Sequence, residues 1–198
     1  MSPMASPLVA FHPANTLTYA SLVAGMSALL SAVNGNAAGA GALVALAVIF
    51  DTFDGCFARR FNRTPVQREM GVQLDSVADA TVFGAVPVVC AWVLTDLQWV
   101  SASAGLLYGV CAITRLAFYN VTHEHHDGFV GLPVPVAALI WSTTLMLDPG
   151  GPVIGVLLAL SACAMVMPFR LARPRGIALA AFACWPLLVL VAHILRAQ

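Results

Sequence analysis

Hydrophobic positions in this chain fall in long unbroken runs rather than in alternation. Seven runs stand out, roughly Asn15 to Val33, Ala37 to Phe61, Val72 to Leu94, Trp99 to Asn120, Leu132 to Leu147, Pro152 to Pro168 and Ile177 to Leu195. Runs of this kind, parted by short polar breaks, predict helices that cross a bilayer, whose hydrocarbon core takes roughly 20 apolar residues per span. The strand-period alternation of an outer-membrane barrel is missing from the sequence. The expected fold class is therefore all-α: a polytopic integral membrane helical bundle of six core transmembrane helices plus one C-terminal helix, in a single domain over residues 1–198. The fifth and sixth runs are short and meet at the turn "DPGGP". Pro133 and Pro135 set the start of the fifth helix, and Pro87 is expected to kink the third. "PLVAFHP", before the first run, is a candidate for an interfacial segment.

Composition sharpens the membrane reading. The chain is 60% hydrophobic and 9% charged, with a mean hydropathy of +0.88, values foreign to a water-soluble domain. A net charge of zero and a pI near 6.9 provide no global field for nucleic acid. The basic residues are all arginine, and they are unevenly placed. Arg59, Arg60, Arg63 and Arg68 follow the second run, Arg115 ends the fourth, and Arg170, Arg173 and Arg175 follow the sixth. The loops "GNA", "TDLQ" and "DPGG" contain none, and Arg196 alone falls on their side. The positive-inside rule then puts the N-terminus in the cytoplasm and, with seven spans, the C-terminus outside it, in a bacterial or archaeal-type cell membrane. "MSPMASPLVAFHPAN" lacks the positive start of a cleavable signal peptide, so the first run is expected to be retained.

Several conspicuous residues read as structural. Cys56, Cys90, Cys111, Cys163 and Cys184 show no metal-ligand spacing and behave as small hydrophobes. Trp92, Trp99, Trp141 and Trp185 are expected at interfacial or lipid-facing positions. His123, His125 and His126 fall in a polar loop and read as solvated.

The unusual stretch is residues 51–84, where four aspartates lie beside or within apolar runs. Asp51 and Asp54 are three apart at the end of the second run, and Asp75 and Asp79 are four apart at the start of the third. At about 100° per residue each pair shares one helix face. Consecutive antiparallel helices would bring the two pairs together. An aspartate at the bilayer centre costs roughly 2.5 to 3.5 kcal/mol on insertion scales, and four unpaired anions repel one another. A cation must therefore fill the site. An all-oxygen donor set favours a hard ion such as Mg²⁺, Mn²⁺ or Ca²⁺, and four carboxylates suffice for a two-metal centre of the sort used in phosphoryl chemistry. Gly55 and Ala58 continue the stripe of Asp51 and Asp54, and Gly71 lies one turn before Asp75, which clears space for a ligand. The bland alternative is an interface where the acids merely pair with Arg59, Arg60, Arg63 and Arg68.

These residues resemble the signature of the CDP-alcohol phosphatidyltransferase family, D-x-x-D-G-x-x-A-R, a spacer, then G-x-x-x-D-x-x-x-D. Asp51, Asp54, Gly55, Ala58, Arg59, Gly71, Asp75 and Asp79 fill every specified position. The spacer Arg60 to Met70 is longer than the family's usual one, and its extra residues are expected to lengthen the turn. "GVQLDSVADATVFGAVP", "TRLAFYNV" and "GFVGLPVPVAAL" are similar to the phosphatidylserine synthase branch, and Asn15 and Thr18 to the start of the family's first helix. The resemblance covers about residues 13–140 and implies a metal-dependent enzyme, with Mg²⁺ or Mn²⁺ as cofactor, that transfers a phosphatidyl group from CDP-diacylglycerol to serine. It implies Asp51, Asp54, Asp75 and Asp79 as metal ligands, with Asp79 also the general base. It further implies Thr18, Gly55, Ala58, Arg59 and Gly71 at the nucleotide, Arg115 and Asn120 at the acceptor or a phosphate, and a homodimer among membrane lipid. Other acceptors, such as inositol phosphate or glycerol phosphate, belong to the same chemistry. A cation transporter is the alternative from another class, since intramembrane carboxylates also mark ion pathways.

Overall fold

The computed structural model describes residues 6–94, 99–122, 129–147, 150–171 and 177–196. Helices occupy each of the seven apolar runs. Two short 3₁₀ turns, Pro7–Ala10 and Pro13–Asn15, lead into α1 (Thr16–Val33), and α2 (Ala37–Ala58) follows after a turn through Gly35, whose φ of 72° favours glycine. Then come α3 (Pro65–Asp79), a π-helical turn (Ala80–Ala85) and α4 (Val86–Leu94), which together make one continuous helix, Pro65–Leu94. The chain continues with α5 (Trp99–Thr122), β1 (Phe129–Val130), α6 (Val134–Leu145), α7 (Gly151–Val166), β2 (Arg170–Leu171) and α8 (Ile177–Arg196). Phe129 and Val130 pair antiparallel with Leu171 and Arg170. The helices Pro13–Val33, Ala37–Ala58, Pro65–Leu94 and Ala102–Thr122 are long and apolar enough to cross a membrane, and Val134–Leu145, Gly151–Val166 and Ala183–Arg196 are apolar but shorter.

The third helix starts earlier than its apolar run. Thr64 caps it in a reciprocal box: its hydroxyl accepts from the Gln67 N–H while the Gln67 side chain accepts from the Thr64 N–H, with Pro65 at the first helical position. Half of the long spacer is thereby helix rather than turn. A π turn, Ala80–Ala85, ends two residues before Pro87, and the helix runs on through the proline as α4.

Small residues make the core. On α2, Ala40, Gly41, Val44, Ala45, Ala47 and Val48 are buried where the helix packs against α1, α6 and α8. Short side chains let backbones approach closely, the packing mode open to helices in lipid. Large apolar side chains such as Leu30, Leu106, Val110, Leu160 and Leu188 instead point outward, a surface suited to acyl chains. Trp141 departs from the lipid-facing expectation. It is 3% exposed, because α6 is enclosed by α2, α7 and α8. Trp185 is half-buried and donates to Thr143 Oγ1, Trp92 faces outward as expected, and the Trp99 side chain lies outside the described residues. Cys90 and Cys111 are buried, and Cys56, Cys163 and Cys184 are exposed.

Candidate active site

The site forms where the end of α2 and the start of α1 meet α3. One carboxylate oxygen from each of Asp51, Asp54 and Asp75 lies within 4.8 Å of the other two, and all three residues are half-buried. The contacts cross between helices: Asp51 is within hydrogen-bonding reach of Asp79, and Asp54 of Asp75. That cross-pairing is the antiparallel register expected from the i,i+3 and i,i+4 spacings. Asp79 thus adjoins the trio through Asp51.

From α1, the buried Thr18 hydroxyl donates to Asp54 Oδ2 at 3.1 Å, which orients that carboxylate from behind. Gly71 lies against two side chains; a Cβ built there would sit 3.1 Å from Arg63 Nη1 and 3.1 Å from Asn15 Oδ1. Gly55 is open: the nearest atom to a Cβ is Arg59 Nη1, at 3.6 Å. Ala58 is half-buried beyond it. Arg59 is exposed and folds back on its own helix, donating to Cys56 Sγ at 3.0 Å. Of the arginines offered as simple counter-charges, Arg59 is turned to Cys56, Arg63 Nη1 lies beside Gly71, and Arg60 and Arg68 are exposed.

The fourth wall is α5. Arg115 is 6% exposed, lies beside Asp79, and has its guanidinium carbon 5.8 Å from the centre of the Tyr119 ring. Its Nε and Nη2 are buried without a hydrogen-bond partner among the described residues. A desolvated guanidinium with two donors unused is costly, and an anionic ligand would complete it. Tyr119 in turn stacks on Phe129 of β1, centroids 6.0 Å apart. Asn120 is tied to α3: its Nδ2 donates to Ser76 Oγ, 2.8 Å away and between Asp75 and Asp79 in sequence. Tyr108, which composition gave no reason to single out, is fully buried and donates to the Phe83 carbonyl. His123, His125, His126, Arg173 and Arg175 lie outside the described residues.

An apolar helical bundle with a cluster of carboxylates gathered at one end, beside a buried arginine, defines a membrane-type protein with an acidic centre. The chain belongs to the CDP-alcohol phosphatidyltransferase family, whose model matches residues 11–169. It is 36% identical over 133 residues to a CDP-diacylglycerol–serine O-phosphatidyltransferase of Mycobacterium tuberculosis (strain ATCC 25618 / H37Rv), covering 63% of this chain and 46% of that one. It is 33% identical over 120 residues to an archaetidylserine synthase of Methanothermobacter thermautotrophicus, covering 60% and 51%. With a CDP-diacylglycerol–serine O-phosphatidyltransferase of Bacillus subtilis (strain 168) it shares 30% over 125 residues, covering 62% and 69%. The chain spans about half the length of the first two of these relatives.

Proposed function

We propose that this chain transfers a phosphatidyl group from CDP-diacylglycerol to L-serine, releasing CMP and forming phosphatidylserine. The reading rests above all on one observation: carboxylate oxygens of Asp51, Asp54 and Asp75, from two helices, converge within 4.8 Å of one another. The names of the relatives favour serine as acceptor and a CDP-linked lipid as donor.

The donor set fits a divalent metal. It is all oxygen and acceptor-only when ionised, and its members crowd one another, so a hard dication supplies the charge that the protein omits. Asp51, Asp54, Asp75 and Asp79 would hold Mg²⁺ or Mn²⁺, with room in the donor count for two ions. When bound, such ions neutralise the pyrophosphate and the departing phosphate. Thr18 holds Asp54 in its ligating orientation. Gly55 keeps a side chain out of the space for the nucleotide, with the small Ala58 beyond it, Gly71 lets Arg63 and Asn15 lie close against α3 at its edge, and Arg59 at the rim is free to swing from Cys56 to a phosphate. The serine hydroxyl oxygen forms a bond to the phosphorus that carries diacylglycerol. The bond from that phosphorus to the CMP oxygen breaks, and Asp79 takes the hydroxyl proton. Arg115, with its unused donors, pairs with the serine carboxylate or a substrate phosphate.

In this reading all seven apolar runs lie in the cell membrane of a bacterial or archaeal-type cell, with the acidic end and the N-terminus on the cytoplasmic side and two copies forming a homodimer. Purified protein in detergent, supplied with CDP-diacylglycerol, Mn²⁺ and a panel of alcohols, tests the activity. Serine should support CMP release and a chelator should stop it. Release with inositol phosphate or glycerol phosphate but not with serine would reassign the acceptor. Metal-dependent cation flux in liposomes without CMP release would move the protein to the transporter class.

A further inference from the structure

The helix that carries Asp75 and Asp79 is held on both sides of Asp79 by polar side chains from α5. On one side, Asn120 Nδ2 donates to Ser76 Oγ at 2.8 Å, and Ser76 Oγ itself donates to the Val72 carbonyl at 3.0 Å. The hydroxyl's single proton is therefore directed along its own helix, which leaves its lone pairs to receive the amide. On the other side lies the π turn, which opens at Ala80, the residue after Asp79. Pro87 has no N–H to give to the carbonyl of Phe83, four residues back, and its ring would crowd that carbonyl in a regular α-helix. The π turn relieves the crowding, and the buried Tyr108 hydroxyl donates to the Phe83 carbonyl at 2.9 Å in place of the missing N–H. The register is consistent along the helix pair: Asn120 with Ser76, Arg115 beside Asp79, Ala112 against Gly84 and Tyr108 with Phe83. A π turn inside an α-helix is frequently found at a functional site. Here it sits directly behind the carboxylate whose aim matters most.

We propose that Asn120 and Tyr108 are positioning residues, which clamp the helix segment Ser76 to Phe83 so that Asp75 and Asp79 stay aimed at the metal site and at a fixed distance from Arg115. This rests on the carboxylates binding metal, as proposed above. Asn120 accordingly acts through Ser76 and not by touching the acceptor alcohol.

The test is Mn²⁺ binding by the purified full chain without substrate, followed by free-ion electron paramagnetic resonance, together with serine KM at saturating Mn²⁺. Asn120→Ala and Ser76→Ala should each weaken Mn²⁺ binding about tenfold. The double variant should be no weaker than either single one, since both remove the same strut. Ser76→Thr, which keeps the hydroxyl, should retain the affinity, and serine KM should stay at the parent value throughout. Tyr108→Phe should weaken Mn²⁺ binding by a smaller factor. Ser76→Ala removes one atom, so it reports even where Asn120→Ala folds poorly. Unchanged Mn²⁺ affinity in Ser76→Ala, or additive losses in the double variant, would overturn the proposal. So would a raised serine KM at unchanged Mn²⁺ affinity in Asn120→Ala, which would make that residue an acceptor contact. If the parent protein binds no Mn²⁺, the metal reading itself falls, a result visible before any substitution is made.

Discussion

Helix α2 carries a polar cluster at each end, and the two are built on opposite rules. At its start, Ser142 Oγ donates to the Gly41 carbonyl at 2.8 Å, and His193 Nε2 lies 2.9 Å from the Ser142 carbonyl. Arg196 closes the same end of the bundle by donating to the carbonyls of Leu145 and Met146. Donors from α6 and α8 meet carbonyls of α2 and α6, with only His193 Nδ1 of that ring left buried without a partner among the described residues, and the ring fills the notch left by Gly41, where any Cβ would collide with it. About 14 residues further on, some 21 Å along the axis, the other cluster is three converging carboxylates with Asp79 adjoining through Asp51, and the glycine beside them, Gly55, faces open space. One end is filled by the chain itself and, apart from His193 Nδ1, hydrogen-bonded by it. The other is left deficient in positive charge and in volume, and this is what separates a binding site from a packing device in the same helix.

The sharpest break of that contrast is at the carboxylates. Asp79→Asn preserves size and helix, so the protein should extract and elute as the parent does. CMP release with serine should nevertheless fall by about 10² to 10⁴-fold, the span commonly supplied by a general base. Activity within a few-fold of the parent would show that the acidic end is packing, like the other.

The two glycines give the next test, and they should fail in different assays. Gly55→Leu places a side chain where only Arg59 Nη1 is near, so unfolding should be little changed while kcat/KM for CDP-diacylglycerol drops by about tenfold or more. Gly41→Ala drives a methyl into the His193 ring, an overpacking cost of about 1 to 3 kcal/mol. Its thermal unfolding should move down, with the turnover of the remaining folded protein intact. The same assay responding to both glycines would erase the distinction.

The acidic end was the legible one. Its aspartates announce themselves as carboxylates at i,i+3 and i,i+4 within apolar runs, and that spacing alone fixes the shared faces and the cross-helix meeting. The early start of α3 was also legible, in the "TPVQ" of a capping box at Thr64 and Gln67, but the polar residues Arg68, Glu69 and Gln73 obscured the helix to a reading based on apolar runs. The π turn and the Asn120 to Ser76 strut could not be read. The strut and the Tyr108 bond that backs the π turn each depend on a partner more than twenty residues away, and no local pattern of Tyr108 or Asn120 differs from that of an ordinary helical residue. The far cluster was invisible for the same reason: His193 lies in a run of apolar residues, and only the fold shows Gly41 across from it. Histidines drew notice in the loop, while the buried one passed unmarked.

The smallest effect belongs to Ser142, and it tests whether the far cluster is as ordinary as its geometry suggests. Ser142→Ala removes a hydroxyl that donates to the Gly41 carbonyl. That carbonyl lies within the first turns of a helix, where the backbone ladder continues to supply it with an N–H. Interhelical side-chain hydrogen bonds in membrane proteins average about 0.6 kcal/mol, because the separated helices find other partners. A loss of about that size in an unfolding titration, with serine-dependent CMP release unchanged, is the expected result. A several-fold fall in CMP release would mean that the closed end is coupled to the acidic one along α2, and that the helix transmits strain between its two clusters instead of merely bearing both.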